Sequence, residues 1–233
     1  MKYILLLTAL CITLTSCHHI SGSGNIITEK RATGNFTEIV ASTGIDVEVR
    51  LGNQQEIIVE ADDNVIKYIV TSVSGGVLKI TMENNTSIFN SHRKVYVTAL
   101  MINSLKASSS AGIVVKGGLK SDGKLAFHAS SSGSISAVVD APEITAEASS
   151  SADIELSGRT QSYTADVSSS ASIKSADLLS EHTIVSAGSS GSASVHASVT
   201  LKAKASSSGD IIYHGGASVE KTISSSGSVE KRD

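Results

Sequence analysis

Serine-rich tripeptides recur along the second half of the chain, beginning at Ser108, Ser130, Ser149, Ser168, Ser206 and Ser224, with Gly188-Ser189-Ser190 filling the one gap in the series. The steps between them are 22, 19, 19, 20, 18 and 18 residues. Self-similarity at such a period marks a solenoid, in which a repeat buries its apolar face only by stacking on its neighbours. The columns agree. Five residues after the start of each tripeptide stand Ile113, Ile135, Ile154, Ile173, Ala193, Ile211 and Val229. Immediately before it stand Ala107, Ala129, Ala148, Val167, Ala187, Ala205 and Ile223, and two residues earlier Leu105, Phe127, Ala146, Ala165, Val185 and Ala203. Alternation with period two is the pattern of half-buried strands. Carried through the tripeptide, it also turns the middle serines inward (Ser109, Ser131, Ser150, Ser169, Ser189, Ser207 and Ser225), followed by small residues from Ala111 to Gly227.

These columns predict an all-β, single-domain parallel β-helix with 18–22 residues per coil. A right-handed path is preferred because parallel connections favour it. A left-handed β-helix, with coils near 18 residues, accommodates Ala205, Ile211, Ala217 and Ile223 but not the longer steps. With strands about 4.8 Å apart, six steps give a rod about 29 Å long. Composition fits: aromatics are 3% and Trp is absent, so the core must come from small and β-branched side chains in closely stacked strands. Low-complexity disorder lacks aliphatics on a fixed lattice.

The first 16 residues read as an export signal: Lys2, an apolar stretch from Ile4 to Leu14, then Thr15-Ser16 before Cys17. The run is too short to cross a bilayer. Leu14 to Cys17 resembles the lipobox of bacterial lipoproteins, which implies lipidation of Cys17; residues 17–24 then read as a lipid-anchored tether, with Ser21 to Gly24 its short flexible part. His18 and His19 then belong to that tether. With Cys11 in the signal and Cys17 acylated, no thiol remains for a disulfide or a cysteine metal site. Loss of Lys2 turns 19 basic against 22 acidic residues into 18 against 22, a net charge of −4 with His neutral. With no basic stripe to neutralise phosphates, nucleic acid is not an expected partner.

The β-helix domain is expected over residues 25–233, with irregular coils over 25–103 and regular ones over 104–233. In the irregular part, strands are legible at Ile45 to Leu51, Glu56 to Ala61, Val77 to Met82 and Lys94 to Leu100. Asp62-Asp63-Asn64 could cap a single helical turn beginning at Val65. Glu38 to Ile45 echoes Ser104 to Ser109, so an early coil is expected there, with this part covering the first end of the solenoid. Four terminal charges, Glu230 to Asp233, read as a blunted edge at the other.

The run from Phe36 through Ala41-Ser42-Thr43-Gly44-Ile45-Asp46-Val47, then Gly75-Gly76-Val77-Leu78-Lys79-Ile80, then Ser-Ser-Ser-Gly coils, resembles the head GIN domain family, described as autotransporter adhesins. The resemblance covers nearly the whole mature chain. It implies a β-helix-like envelope protein and brings no catalytic or binding residues with it.

For chemistry the residues offer little. Asp153 and Asp210 share a column but belong to coils separated by two others, and Asp140, Glu143, Asp166 and Asp177 fall in different columns. Tyr163 and Tyr213 are the only tyrosines in the repeats that could form sugar platforms. No catalytic cluster and no cofactor are therefore expected. His196 and His214 share a column position in consecutive coils and are the candidate metal ligands, although a structural zinc site needs four. The reading that follows is a non-enzymatic, exported, lipid-anchored protein of the bacterial cell envelope, at the outer membrane, acting as an adhesin or surface-binding scaffold. Its partners would be the membrane, through the lipid, and an envelope protein or glycan. A carbohydrate-active β-helix enzyme and a structural envelope component without a ligand are the alternatives.

Overall fold

A computed structural model describes residues 18–84 and 86–232; Cys17 and the signal segment lie outside the described residues. The chain is a parallel β-solenoid, with twenty of the described strands in one continuous hydrogen-bonded sheet. Its core is a single hydrophobic cluster running from Phe36 to Val229. The aliphatic columns stack in register: Ile113 pairs with Ile135, then Ile154, Ile173, Ala193, Ile211 and Val229 follow. Each is at most 8% exposed. Since every side chain in a column is covered by its equivalents on neighbouring coils, burial depends on the stack and not on any coil alone.

The serine tripeptides form the corner between the strand ending at each small or β-branched residue and the strand beginning after the turn. In every one the second and third residues are left-handed: Ser109 and Ser110 have φ of 50° and 62°, and Ser225 and Ser226 have 47° and 62°. The N–H of Ala111 donates to the Ser108 carbonyl at 3.1 Å and that of Gly209 to Ser206 at 2.9 Å, closing tight turns of the I′ kind. Coils are then stitched corner to corner. Ser110 N–H donates to Ser131 O, Ser132 to Ser150, Ser151 to Ser169, Ser170 to Ser189, Ser190 to Ser207 and Ser208 to Ser225, at 3.0–3.1 Å. Two consecutive left-handed residues break the period-two alternation, so the middle serines are exposed and not inward. Buried positions on either side of the corner, such as Ala107 and Ala111, are four residues apart. The residue that closes the turn does point inward, and its space is small: a Cβ on Gly133 would lie 2.6 Å from the Ala107 carbonyl oxygen.

Register in the N-terminal part departs from chain order. The strands Glu38–Ala41 and Asp46–Leu51 form a coil cornered by Ser42-Thr43-Gly44, on which the Ser108 coil stacks. Beneath it lie Val77–Met82 and Arg93–Ala99, which come later in sequence. Antiparallel strands close this end. Ile69–Ser74 pairs with Val77–Met82, Glu56–Asp62 with Arg93–Ala99, and Ile26–Arg31 with Glu56–Asp62. A 3₁₀ turn at Ile66–Tyr68 follows Glu56–Asp62, but no side chain caps it.

The Asp62-Asp63-Asn64 triplet before that turn is used elsewhere. Asp63 accepts from Ser23 Oγ at 2.6 Å and Asn25 Nδ2 at 2.8 Å, while Asn64 Nδ2 donates to Ser21 O at 2.8 Å. Asp62, only 2% exposed, accepts from the N–H groups of Gly24 at 2.6 Å and His92 at 2.7 Å. These two backbone donors hold its carboxyl below the usual range. The segment from Ser21 to Gly24, expected as part of a flexible tether, is thus latched to the cap.

At the other end, Ser218–Ile223 and Ser228–Lys231 form the last coil. Lys221 occupies the inward column above Ala203. Its ammonium donates to Val229 O at 3.1 Å and lies 4.9 Å from the Tyr213 ring centroid. A cation therefore closes the end of the core, and an inward charge of this sort discourages further strands from adding.

Candidate functional site

Outward side chains on the strand before each serine corner form a file along the solenoid. Lys106, His128, Glu147, Asp166, Ser186 and Lys204 are paired rung to rung. Between this file and the first serine of each corner runs a trough of about 730 Å³, open to solvent along its length. Its form follows from the sequence: the inward neighbours Ala107, Ala129, Ala148, Val167 and Ala187 are small, and the first serines of the corners line the opposite side. Charge along it is sorted, with Lys106 and Lys204 at the ends and Glu147 and Asp166 in the middle. His128 Nδ1 and Glu147 Oε2 are 3.0 Å apart.

Glu147 and Asp166 are in register on adjacent rungs. Columns counted forward from the tripeptide miss this pair; counting backward by two finds it. Of the acids singled out in the sequence, Asp153 and Asp210 do share one column, with Ser172 and Ser192 between them. Three steps of about 4.8 Å hold them about 14 Å apart. Glu143 pairs with Lys124 at 2.9 Å, and the Asp177 carbonyl accepts from Gly158 N–H at 3.0 Å. Neither tyrosine is a platform for a sugar: Tyr163 is 1% and Tyr213 7% exposed.

A second cleft, of about 620 Å³, lies on another side. Arg159 reaches back one coil to Asp140 at 2.6 Å, and this charged hydrogen bond lowers the Asp140 pKa. Leu179, 57% exposed, borders it. His196 lines its far end with Nδ1 buried and unpartnered, and its carbonyl accepts from the Ser180 and Thr183 hydroxyls. His196 and His214 are in register on adjacent strands. Among the described residues, no group of three or more His, Cys, Asp or Glu could hold a metal ion, so these two histidines have no third ligand of that kind. His19 stands beside Phe89 with ring centroids 6.4 Å apart.

Solved structures share this architecture. A "putative adhesin" from Bacteroides fragilis superposes with a TM-score of 0.83 at 18% identity, covering 91% of this chain and 98% of its own. A "putative lipid binding protein" from Parabacteroides distasonis has a TM-score of 0.74 at 25% identity, covering 92% of this chain and 100% of its own. A "putative adhesin" from Parabacteroides merdae gives 0.74 at 20%, covering 93% and 100%. No curated protein matches the sequence. The family model described as "Putative auto-transporter adhesin, head GIN domain" matches residues 35–217. With most of its length matched by that model and its coils superposing on solved adhesin-named solenoids, this chain belongs to the head GIN domain family.

Proposed function

We propose that the protein is a non-enzymatic, lipid-anchored component of the bacterial cell envelope, attached through Cys17 at the outer membrane, whose solenoid flank binds an extended partner. The trough carries this reading. It runs lengthwise over consecutive coils, and its charges are sorted along one file on a rigid backbone, as suits an extended polysaccharide or peptide lying parallel to the axis. The adhesin names of the solved relatives and of the family favour the same reading, as does the lipobox-like segment ending at Cys17. Charge reversal at the two central acids, Glu147→Lys with Asp166→Lys, is expected to reduce attachment of cells to polysaccharide- or peptide-coated surfaces at least about ten-fold, the scale of losing about 1.4 kcal/mol. The fold and its thermal unfolding should be little changed, because both side chains are exposed. Attachment equal to that of the unaltered protein would remove the trough from the account.

The adjacent carboxyls of Glu147 and Asp166 favour one second reading, glycoside cleavage in the same trough. Release of sugar from a polysaccharide panel, abolished by Glu147→Gln, would establish it over adhesion.

A further inference from the structure

The chain is latched to the fold from its first described residue, His18. His18–Ser21 begins at the residue after Cys17 and pairs in parallel register with Thr86–Phe89. Gly22 N–H then donates to Phe89 O at 3.3 Å, and Ser23, Gly24 and Asn25 are tied to Asp62, Asp63 and Asn64. One extended residue reaches at most about 3.6 Å. A lipid on Cys17 therefore brings this small sheet to the bilayer surface.

The side chains on that sheet divide by face. Ile20 and Ile88, directly paired, pack against the core. The neighbouring positions face outward, and there Phe89 is 47% exposed beside the His19 ring. Ile26, 51% exposed, follows just after the latch. An exposed aromatic ring beside an imidazole, one strand from the proposed lipid attachment, has the mixed apolar and polar character that suits the headgroup region.

We propose that the His19–Phe89 face is seated in the interfacial layer of the membrane that holds the Cys17 lipid. The solenoid is then fixed to the membrane by its capped end and does not swing on a tether. This rests on the Cys17 reading above, and the test separates the two. The chain contains no Trp, so Phe89→Trp and, independently, His19→Trp each place a single indole on this face. Full-length protein purified from membranes is reconstituted into phosphatidylcholine vesicles with and without brominated acyl chains, and its N-terminal peptide is weighed to establish acylation. Val138→Trp, at a site 56% exposed on the regular coils, is the comparison. Seating predicts blue-shifted emission and loss of most of the fluorescence to bromine for both face variants, with the Val138→Trp protein unquenched. An acylated protein whose face variants are as unquenched as Val138→Trp overturns the seating and leaves the anchor standing. Blue-shifted emission without bromine quenching means that protein covers the face, and likewise overturns it. A Cys17 without lipid overturns the anchor and the seating together.

Discussion

At each corner two serines sit where a β-carbon is crowded. Left-handed geometry costs an L-residue about 1–2 kcal/mol, and fourteen serines among the described residues adopt it. The stacked N–H to carbonyl bonds between corners offset that cost, since any corner that relaxed would leave its neighbours' donors unpaired. Side-chain size decides what is tolerated. Ser132→Val should destabilise by about 2 kcal/mol, because a branched β-carbon at a φ of 61° adds steric strain. Ser132→Gly should change stability by less than about 1 kcal/mol, as relief of strain opposes the greater freedom of the unfolded chain. Urea unfolding of the two variants measures both. At the cap, Asp62 titrates with a clear sign. Its native pKa lies below that of the unfolded chain, so its stabilisation is present above the unfolded value of about 4 and fades as pH falls through the native value. Hydrogen exchange at the Gly24 and His92 amides, taken relative to the intrinsic chemical rate at each pH, should therefore accelerate below pH about 4, ahead of the amides in the regular coils. Uniform acceleration throughout the chain would contradict the latch.

Elements are legible wherever a residue's environment repeats. Val77–Met82 matches its sequence boundaries, and the other three strands read in the irregular part shift by one residue at their ends. Except at Ile223, which is 51% exposed because no coil covers it, the inward columns are correct along the strands because period-two alternation is a property of extended backbone. It fails at the corner, where φ changes sign, and there alternation alone turns the serines the wrong way. The out-of-order coil is illegible for another reason: the strand pattern of Glu38–Ala41 is equally consistent with resting above or below Val77–Met82, and only register distinguishes them. Lys221 is legible but easily passed over in favour of the four terminal charges. The column from Leu105 to Ala203 continues to Lys221, where an aliphatic residue would be needed if another coil were to follow. Lys221→Leu should make the last coil adhesive, giving concentration-dependent association by sedimentation or light scattering. A monomeric variant at all concentrations would show that the lysine does not guard this edge.

The molecule as a whole is a stack with two differently closed ends and long open flanks. Antiparallel strands and the latch close one end beside the expected lipid, and a lysine closes the other. The flanks stay uncovered, and there the trough with Lys106, Glu147, Asp166 and Lys204 spans coil after coil. None of its charges belongs to the repeat itself, which explains why a periodic sequence announces its scaffold and not the chemistry of its flanks. The backbone columns are fixed by burial, whereas the outward positions are free to vary from coil to coil. Adhesion requires that these flanks reach the outside of the cell. Labelling of intact cells with an antibody against the folded solenoid tests that requirement most directly. Surface adhesion predicts equal labelling before and after the outer membrane is permeabilised. Labelling that appears only after permeabilisation would contradict it.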